Sequence, residues 1–453
     1  MIRSSILIED TGREFGNIIN ELVEAEFGSG FNSAKTKLYR ELTFDFGHGT
    51  RNVRTLDNAV STLGMTVKTH KTKGNVVPRA LHSSVGSPLK PLMRYLSSCL
   101  RQTVKGQAHL LQDSVDLANR LKKLNVRSWH KFMKIDVQDY FMSGEHPVLP
   151  GKTSPHVLPH RRVAFEKALK FVVENQFVES EANALEIYKV LVGAGMGLEM
   201  SGDVCDVAFY DMVERGFVDS SEFRSVYRVL FYVRFRDDIL VILGGTPDTR
   251  KAFSDEMKTR SSFFKLKIES ISPSSAVMLD LHISKGSQYE RTGRLDVGMH
   301  FKDTNQGSAL SSKSMHLPST HMSWPQSRVL HYFKCCSCCR LFRSACAKLF
   351  HKIRISDVGH PALVAIASCI VHGTPTGNSN MYGNSRDRYS KCSRIIVPYH
   401  PTWSSLDRVL SSFSDRFVAE GFSEHVPRIS WCKAGPNLHN RVLADTREKL
   451  NLS

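Results

Sequence analysis

Apolar residues recur along this chain with two periods, one helical and one of strands. The segment Glu14 to Phe27, E-F-G-N-I-I-N-E-L-V-E-A-E-F, has helical spacing and stops at Gly-Ser-Gly, which predicts an amphipathic packing helix without chemistry. From Leu63 to Leu92, two short β-like runs flank T-K-G-N and predict a hairpin. Residues 89 to 130 carry a helical stripe through Leu92, Tyr95, Leu96 and Leu100, then Leu117, Leu121 and Leu124, of the kind that packs in a core. An apolar strand, F-M-K-I-D, then runs into Asp136. Residues 145 to 160 are rich in Pro, His and Gly and read as a loop; Val163 to Val178 reads as a helix. Gly193, Gly195 and Gly197 form a flexible loop that opens a helix near Ser201. Tyr232 to Leu243, Y-V-R-F-R-D-D-I-L-V-I-L, predicts a β-hairpin with two acids at its turn. A helix over Lys251 to Phe264, a strand in F-F-K-L-K-I-E-S and another in A-V-M-L-D-L-H-I-S follow. Beyond Leu295 come Ser- and His-rich turns and then helices rich in Lys and Arg, with no internal repeat.

Charge narrows the class of partner. Lys and Arg number 61 against 44 Asp and Glu, a formal net charge of +17, which favours a polyanion such as DNA or RNA and also suits an acidic membrane surface. No stretch approaches the roughly 18 uninterrupted apolar residues of a membrane span, and the first ten residues lack the apolar region of a signal peptide. An intracellular protein of two to four subdomains is expected at 453 residues. Ten cysteines are too few for a disulfide scaffold, yet Cys335, Cys336, Cys338 and Cys339 crowd together, with Cys346 beyond. Structural zinc draws its ligands from separated pairs, and four thiols along one amphipathic helix cannot surround an ion, so core and surface thiols are expected there.

The candidate chemistry centres on the hairpin. Asp237 and Asp238 repel one another and raise each other's pKa, a difficulty that a cation removes. Polymerases use such a pair to hold divalent metal over a reacting phosphate, although a polar turn can also carry two acids for no reason but solvation. Asp136, at the end of its strand, makes a third candidate ligand, and Asp139 reads as a turn acid. Phe141, five residues after Asp136, could stand under a sugar and leave no room for a 2′-hydroxyl. Lys71 and Arg79 on the basic hairpin are either solvated surface or a grip on a triphosphate, while Lys73 reads as solvated. The glycine loop could approach phosphate or base through its backbone, but it lacks a P-loop lysine. Lys265 and Lys267 are solvated strand lysines or donors to a leaving pyrophosphate.

Taken in order, these pieces resemble the right-hand polymerases and, within them, the reverse transcriptases. Asp136 with Phe141 resembles the first palm motif, Gly195-Met196-Gly197 with Ser201 the second, and Phe235-Arg236-Asp237-Asp238 the third. F-F-K-L-K resembles the fourth motif, M-L-D-L-H-I the primer-gripping fifth, and K-T-H-K followed by Arg79 the fingers hairpin. T-V-K-T-H-K, H-F-K-D-T-N with S-M-H-L-P, V-P-Y-H-P and I-S-W-C-K-A-G-P-N-L-H-N-R-V-L are similar to Penelope-like retroelement proteins, over residues 60 to 445. The chain departs from that pattern at Glu199, where small residues and proline are usual, and at the bulky Arg236. Only Ala444 to Ser453 follow the last motif, so the GIY-YIG endonuclease of many members is expected to be lacking.

The resemblance implies an α+β right hand: a helical extension (1–55), fingers (56–130), an antiparallel-sheet palm (131–290), a helical thumb (291–380) and a connecting region (381–453). It implies RNA-directed DNA synthesis on an RNA template and DNA primer, and through that substrate a nuclear location. Asp136, Asp237 and Asp238 would hold two Mg²⁺, with Mn²⁺ able to substitute, and Lys71 and Arg79 would grip the deoxynucleoside triphosphate. Phe141 would exclude ribonucleotides, the Gly195–Ser201 loop with Gly197 would seat the templating pair, and Lys265 or Lys267 would assist the leaving group. The basic stretch Arg328 to Lys352 would track the duplex backbone. Two other readings stand beside this one: copying of RNA into RNA, and a repurposed element protein that binds nucleic acid without polymerising.

Overall fold

The computed structural model describes residues 2–29, 33–44, 61–67, 78–82, 87, 89–180, 187–261, 263–301, 310, 318–356, 360, 362–375, 394–398 and 428–432. They fall into two units, Met1–Asp296 with His300–Asn305, and Val297–Met299 with Gln306–Ser453.

The first unit mixes helix and sheet. It begins with α1 (Ile2–Phe27) and α2 (Ser33–Phe44). Helix α1 starts twelve residues before the expected Glu14, because only Gly12 interrupts good helix positions there, at a cost of about 1 kcal/mol. Its buried face, Ile18, Ile19, Leu22 and Val23, joins the main core. Strands β1 (Ser61–Val67) and β2 (Pro78–His82) form the expected antiparallel hairpin. Helices α3 (Lys90–Gly106) and α4 (Ser114–Lys122) divide one predicted helical region. Gly106 closes the first, and the Asp113 carboxylate caps the second by accepting from the Asp116 amide. Strand β3 (Lys131–Gln138) is followed by α5 (Val148–Thr153) and α6 (Arg162–Glu174). The predicted helix ends at Glu174, and its last residues enter β4 (Phe177–Ser180), which pairs parallel to β1 and antiparallel to β5 (Ile187–Lys189).

Helix α7 (Ser201–Phe209) continues into a π-helical turn, Tyr210–Glu214, and α8 (Ser221–Val226) leads to β6 (Val229–Phe235) and β7 (Asp238–Leu243). Helix α9 (Pro247–Arg260) precedes β8 (Lys265–Ser272). The central sheet has the order β6-β7-β3-β8 with every pairing antiparallel. Ile239 to Leu243 are all fully buried, which is why β7 is continuously apolar instead of alternating. The segment predicted as one strand over Ala276 to Ser284 is a hairpin of β9 (Ser275–Met278) and β10 (Leu281–Ser284), turning at Leu279 and Asp280. The turn puts Met278 opposite Leu281, three residues on, so the alternation changes phase there, a break that the consecutive apolar residues Ala276 to Leu279 conceal in the sequence. Helix α10 (Ser287–Thr292) leads to β11 (Asp296–Met299) at the boundary of the unit.

In the second unit, α11 (Pro318–Cys335), α12 (Cys339–Ser356) and α13 (Ala362–His372) are accompanied by a parallel pair, β12 (Arg394–Pro398) and β13 (Arg428–Cys432). The helix expected to run through the cysteine cluster is broken there. The Ser337 amide leaves the helix to donate to the Val297 carbonyl (2.8 Å), and the Val297 amide donates back to Ser337 Oγ (3.0 Å). Cys335, Cys336 and Cys346 are buried and Cys339 is exposed, none of the four in a disulfide; burial pushes the Cys346 thiol up to about 12. Among the described residues, no helix is long and apolar enough to cross a membrane.

Candidate active site

Hydrogen-bond register places the acids. Asp136, near the end of β3, pairs with Asp238 at the start of β7 on one side and with Lys267 of β8 on the other. Directly opposed residues of antiparallel strands share a face. Strand alternation therefore sets Lys134, Asp136, Asp238, Phe235 and Lys267 on one side of the sheet. Arg236 and Asp237 form the two-residue turn between Phe235 and Asp238, and the Val137 amide donates to the Asp237 carbonyl (2.9 Å), which ties that turn to β3. Burial, then the adjacent Asp238 and, more weakly, Asp136, raise the Asp237 pKa, against the opposing charge of Lys134. Lys134 is buried, with Nζ 2.5 Å from Asp238 Oδ1. This lysine escapes the sequence reading, although a lone cation inside F-M-K-I-D was its signal. Of the two candidate lysines on β8, both exposed, Lys267 stands beside Asp136 and Lys265 opposite Gln138.

Among the described residues, no group of three or more His, Cys, Asp or Glu side chains is arranged to hold a metal ion by itself. What the sheet supplies is a pair of carboxylates in register with a third on the adjoining turn. Hard carboxylate oxygens in that number suit Mg²⁺, which takes one or two from the protein and the rest from water and substrate phosphate.

A buried ionic network lies on the opposite side of the sheet, and sequence reasoning missed it. Arg234, wholly buried, donates from Nε to Glu214 Oε1 (2.8 Å) and from Nη2 to Glu214 Oε2 (2.9 Å). Its Nη1 donates to Asp206 Oδ1 (2.7 Å), to the Tyr140 hydroxyl (2.8 Å) and to the Arg236 carbonyl (3.1 Å). Tyr232 OH donates to Glu214 Oε1 (2.9 Å), and a ring nitrogen of His109 lies 3.0 Å from Glu214 Oε2. Burial alone would push the Glu214 carboxyl up, but the neighbouring Arg234 and His109 hold it well below the usual range. Arg236 turns back onto Asp206 and lies 3.7 Å from Asp203 Oδ1. Asp203 in turn accepts from Ser97 Oγ and from Arg101 Nε (3.2 Å) on α3. The available signal was a pair of acids three apart, Asp203 and Asp206, in the otherwise apolar start of α7.

The glycine loop is seated by its own backbone. The His82 amide, at the end of β2, donates to the Met196 carbonyl (2.7 Å), so the basic hairpin and the loop meet. Gly197 has φ +107°, and a Cβ there would lie 2.4 Å from the His82 carbonyl oxygen, so no other residue fits. Ser201 is buried and its hydroxyl donates to the Ala194 carbonyl (2.8 Å) and to that of Gly195, which makes it a clip within the loop. The Ala194 amide donates to the Phe141 carbonyl (2.9 Å), joining the loop to the turn after β3, and the partly buried Phe141 ring packs edge-on against Tyr140. Glu199 is paired with Lys90 (3.5 Å) and Arg94 (3.6 Å) of α3. Asp139, at φ +50°, is a turn residue whose carbonyl accepts from the Met142 amide (2.8 Å). Lys71 and Lys73 lie outside the described residues. Arg79 sits in β2 opposite Thr66, with its side chain outside the description.

No protein-family model and no curated protein matches the sequence. Among solved structures, the chain is similar to a telomerase from Candida albicans in complex with a fragment of telomeric RNA. That match has a TM-score of 0.44 at 12% identity, over 80% of this chain and 64% of that one. It is also similar to the RNA-dependent RNA polymerase of a human picorbirnavirus, with a TM-score of 0.39 at 10% identity, over 69% of this chain and 57% of that one. An RNA polymerase complex inside a dsRNA virus gives a TM-score of 0.44 at 10% identity, over 81% of this chain and 31% of that one. The chain thus spans less than two thirds of each of these relatives' length, and with every TM-score below one half a functional reading rests on its own residues.

Proposed function

We propose that this chain is an RNA-directed DNA polymerase of Penelope-like type that extends a DNA primer on an RNA template. The observation that carries the reading is the in-register apposition of Asp136 with Asp238, with the Asp237 turn bonded to the same strand. Asp136 and Asp237 would be the principal ligands of Mg²⁺, because Lys134 engages Asp238. Bound there with substrate phosphates, magnesium would supply the charge that activates a primer hydroxyl and neutralises a triphosphate. Lys134 holds Asp238 against the sheet and limits the repulsion among three adjacent acids. Lys267, exposed beside Asp136, is the better placed of the two lysines to give a proton to departing pyrophosphate. Phe141, held at the turn after β3 by its bond to Ala194, would close the space a 2′-hydroxyl needs. The basic helices α11 and α12 would follow the nucleic-acid backbone with little sequence preference.

The test is primer extension on an RNA template with Mg²⁺, supplied with deoxy- or ribonucleotides. Wild type should extend with deoxynucleotides. Phe141→Ala should raise ribonucleotide incorporation on the order of tenfold, about 1.4 kcal/mol of discrimination, with deoxynucleotide use changed far less. A wild-type preference for ribonucleotides would replace this reading with RNA-directed RNA synthesis. Tight RNA binding without extension would leave only a nucleic-acid-binding protein.

A further inference from the structure

The turn that carries Asp237 is held in a conformation its sequence does not favour. Arg236 has φ +54°, a region that glycine, asparagine and aspartate enter readily and other residues enter at a cost of about 1–2 kcal/mol. Contacts from three directions keep it there. Its carbonyl accepts from buried Arg234 (3.1 Å), and its guanidinium lies on Asp206 and near Asp203, both buried acids of α7. The third is a matter of space: a Cβ at Gly202 would lie 2.6 Å from Arg236 Cζ, so a glycine in the first turn of α7 makes room for the guanidinium. Asp203 is itself held by Ser97 and Arg101 of α3. The half-exposed Arg236 therefore joins the acidic turn to the helix that follows the glycine loop.

From this geometry we infer that Arg236 is a positioning residue: its salt bridges to Asp206 and Asp203 set the orientation of the Asp237 carboxylate for a divalent cation. The inference rests on the polymerase reading and deepens it. A residue that binds no substrate would then control cation affinity, and the bulky arginine in the third motif would have its function behind the acids instead of toward the primer.

Titration of the full-length protein with Mn²⁺, with free ion counted by electron paramagnetic resonance, tests this without requiring turnover. Arg236→Gly accepts the positive φ but loses the anchor. Gly202→Ala leaves the turn residues intact but displaces the guanidinium, and it favours the helix. Arg236→Gly should weaken Mn²⁺ binding by at least about tenfold, within the range seen when outer residues that orient metal ligands are removed, and Gly202→Ala, which shifts only the end of a flexible side chain, should weaken it less. Arg236→Lys, which keeps a cation near Asp206, should recover most of the affinity. Melting temperatures measured in parallel should show each variant folded at the titration temperature, with Arg236→Gly the lowest because buried Asp203 and Asp206 lose a partner. Affinity within about twofold of wild type in Arg236→Gly would overturn the positioning role while leaving the acidic site standing. Equal Mn²⁺ binding by wild type and Asp237→Asn would remove the acidic site and this inference with it.

Discussion

Replacing Arg234 with methionine should destabilise the first unit by about 3–5 kcal/mol, the range for stripping one partner from a buried ionic cluster. Methionine replaces the arginine stem but not the buried guanidinium, so a cavity adds to the loss of the ionic partner. The cost arises because Asp206 and Glu214 remain buried without their shared guanidinium, while Tyr140 and the Arg236 carbonyl lose a donor. The pH dependence has a definite sign. In wild type the Glu214 pKa is held low, so its contribution is present above the ordinary glutamate range and is withdrawn as pH falls through the lowered value. In the variant, a buried Glu214 facing no guanidinium should have a raised pKa and take up a proton more easily. The gap between variant and wild type should therefore narrow from pH 7 to pH 4. Urea denaturation across that range measures it, and adding Glu214→Gln to Arg234→Met should restore part of the loss. A loss below about 1 kcal/mol at pH 7 would mean the cluster does not hold this sheet to α7.

Asp237→Asn should move stability and activity in opposite directions. The wild-type pKa is raised, so ionising Asp237 costs stability, and that cost appears as pH rises above the ordinary aspartate range and through the raised value. Without added metal at pH 7, the asparagine variant should melt at a higher temperature than wild type, and the difference should fade on acidification. Primer extension should meanwhile fall on the order of a thousandfold, about 4 kcal/mol of transition-state stabilisation. That opposition is the signature of a site that stores repulsion for use. A variant both less stable and fully active would show Asp237 to be an ordinary turn residue.

Local patterning made the core of the site legible. The apolar run into Asp136 and the hairpin around Asp237 and Asp238 declare strands by composition, and the register that aligns them follows from pairing their apolar stretches. The helix beginning at Ser201 and the β1–β2 hairpin were visible for similar reasons. The parallel pairing of β1 with β4 was not, because its partners are more than a hundred residues apart and no turn chemistry announces it. The turn at Leu279 hid because Leu279 extends the apolar run that begins at Ala276. Least visible was the charge beneath the sheet. A sequence shows Arg234, Asp206 and Glu214 as polar residues, and polar residues are expected at the surface unless paired. Only the fold reveals that they pair. The same holds for Glu199, which departs from the resemblance by sequence but is matched in space by Lys90 and Arg94.

Single-turnover extension of a DNA primer on an RNA template by wild type, Asp136→Asn and Asp139→Asn compares two neighbouring acids of different standing. Asp136 opposes Asp238 across the sheet, whereas Asp139 is an exposed turn residue at φ +50°, where asparagine is readily accepted. The expected result is loss of extension by about three orders of magnitude in Asp136→Asn and a change of less than about twofold in Asp139→Asn. Extension by Asp136→Asn at the rate of Asp139→Asn would contradict the proposal that this corner of the sheet performs the chemistry.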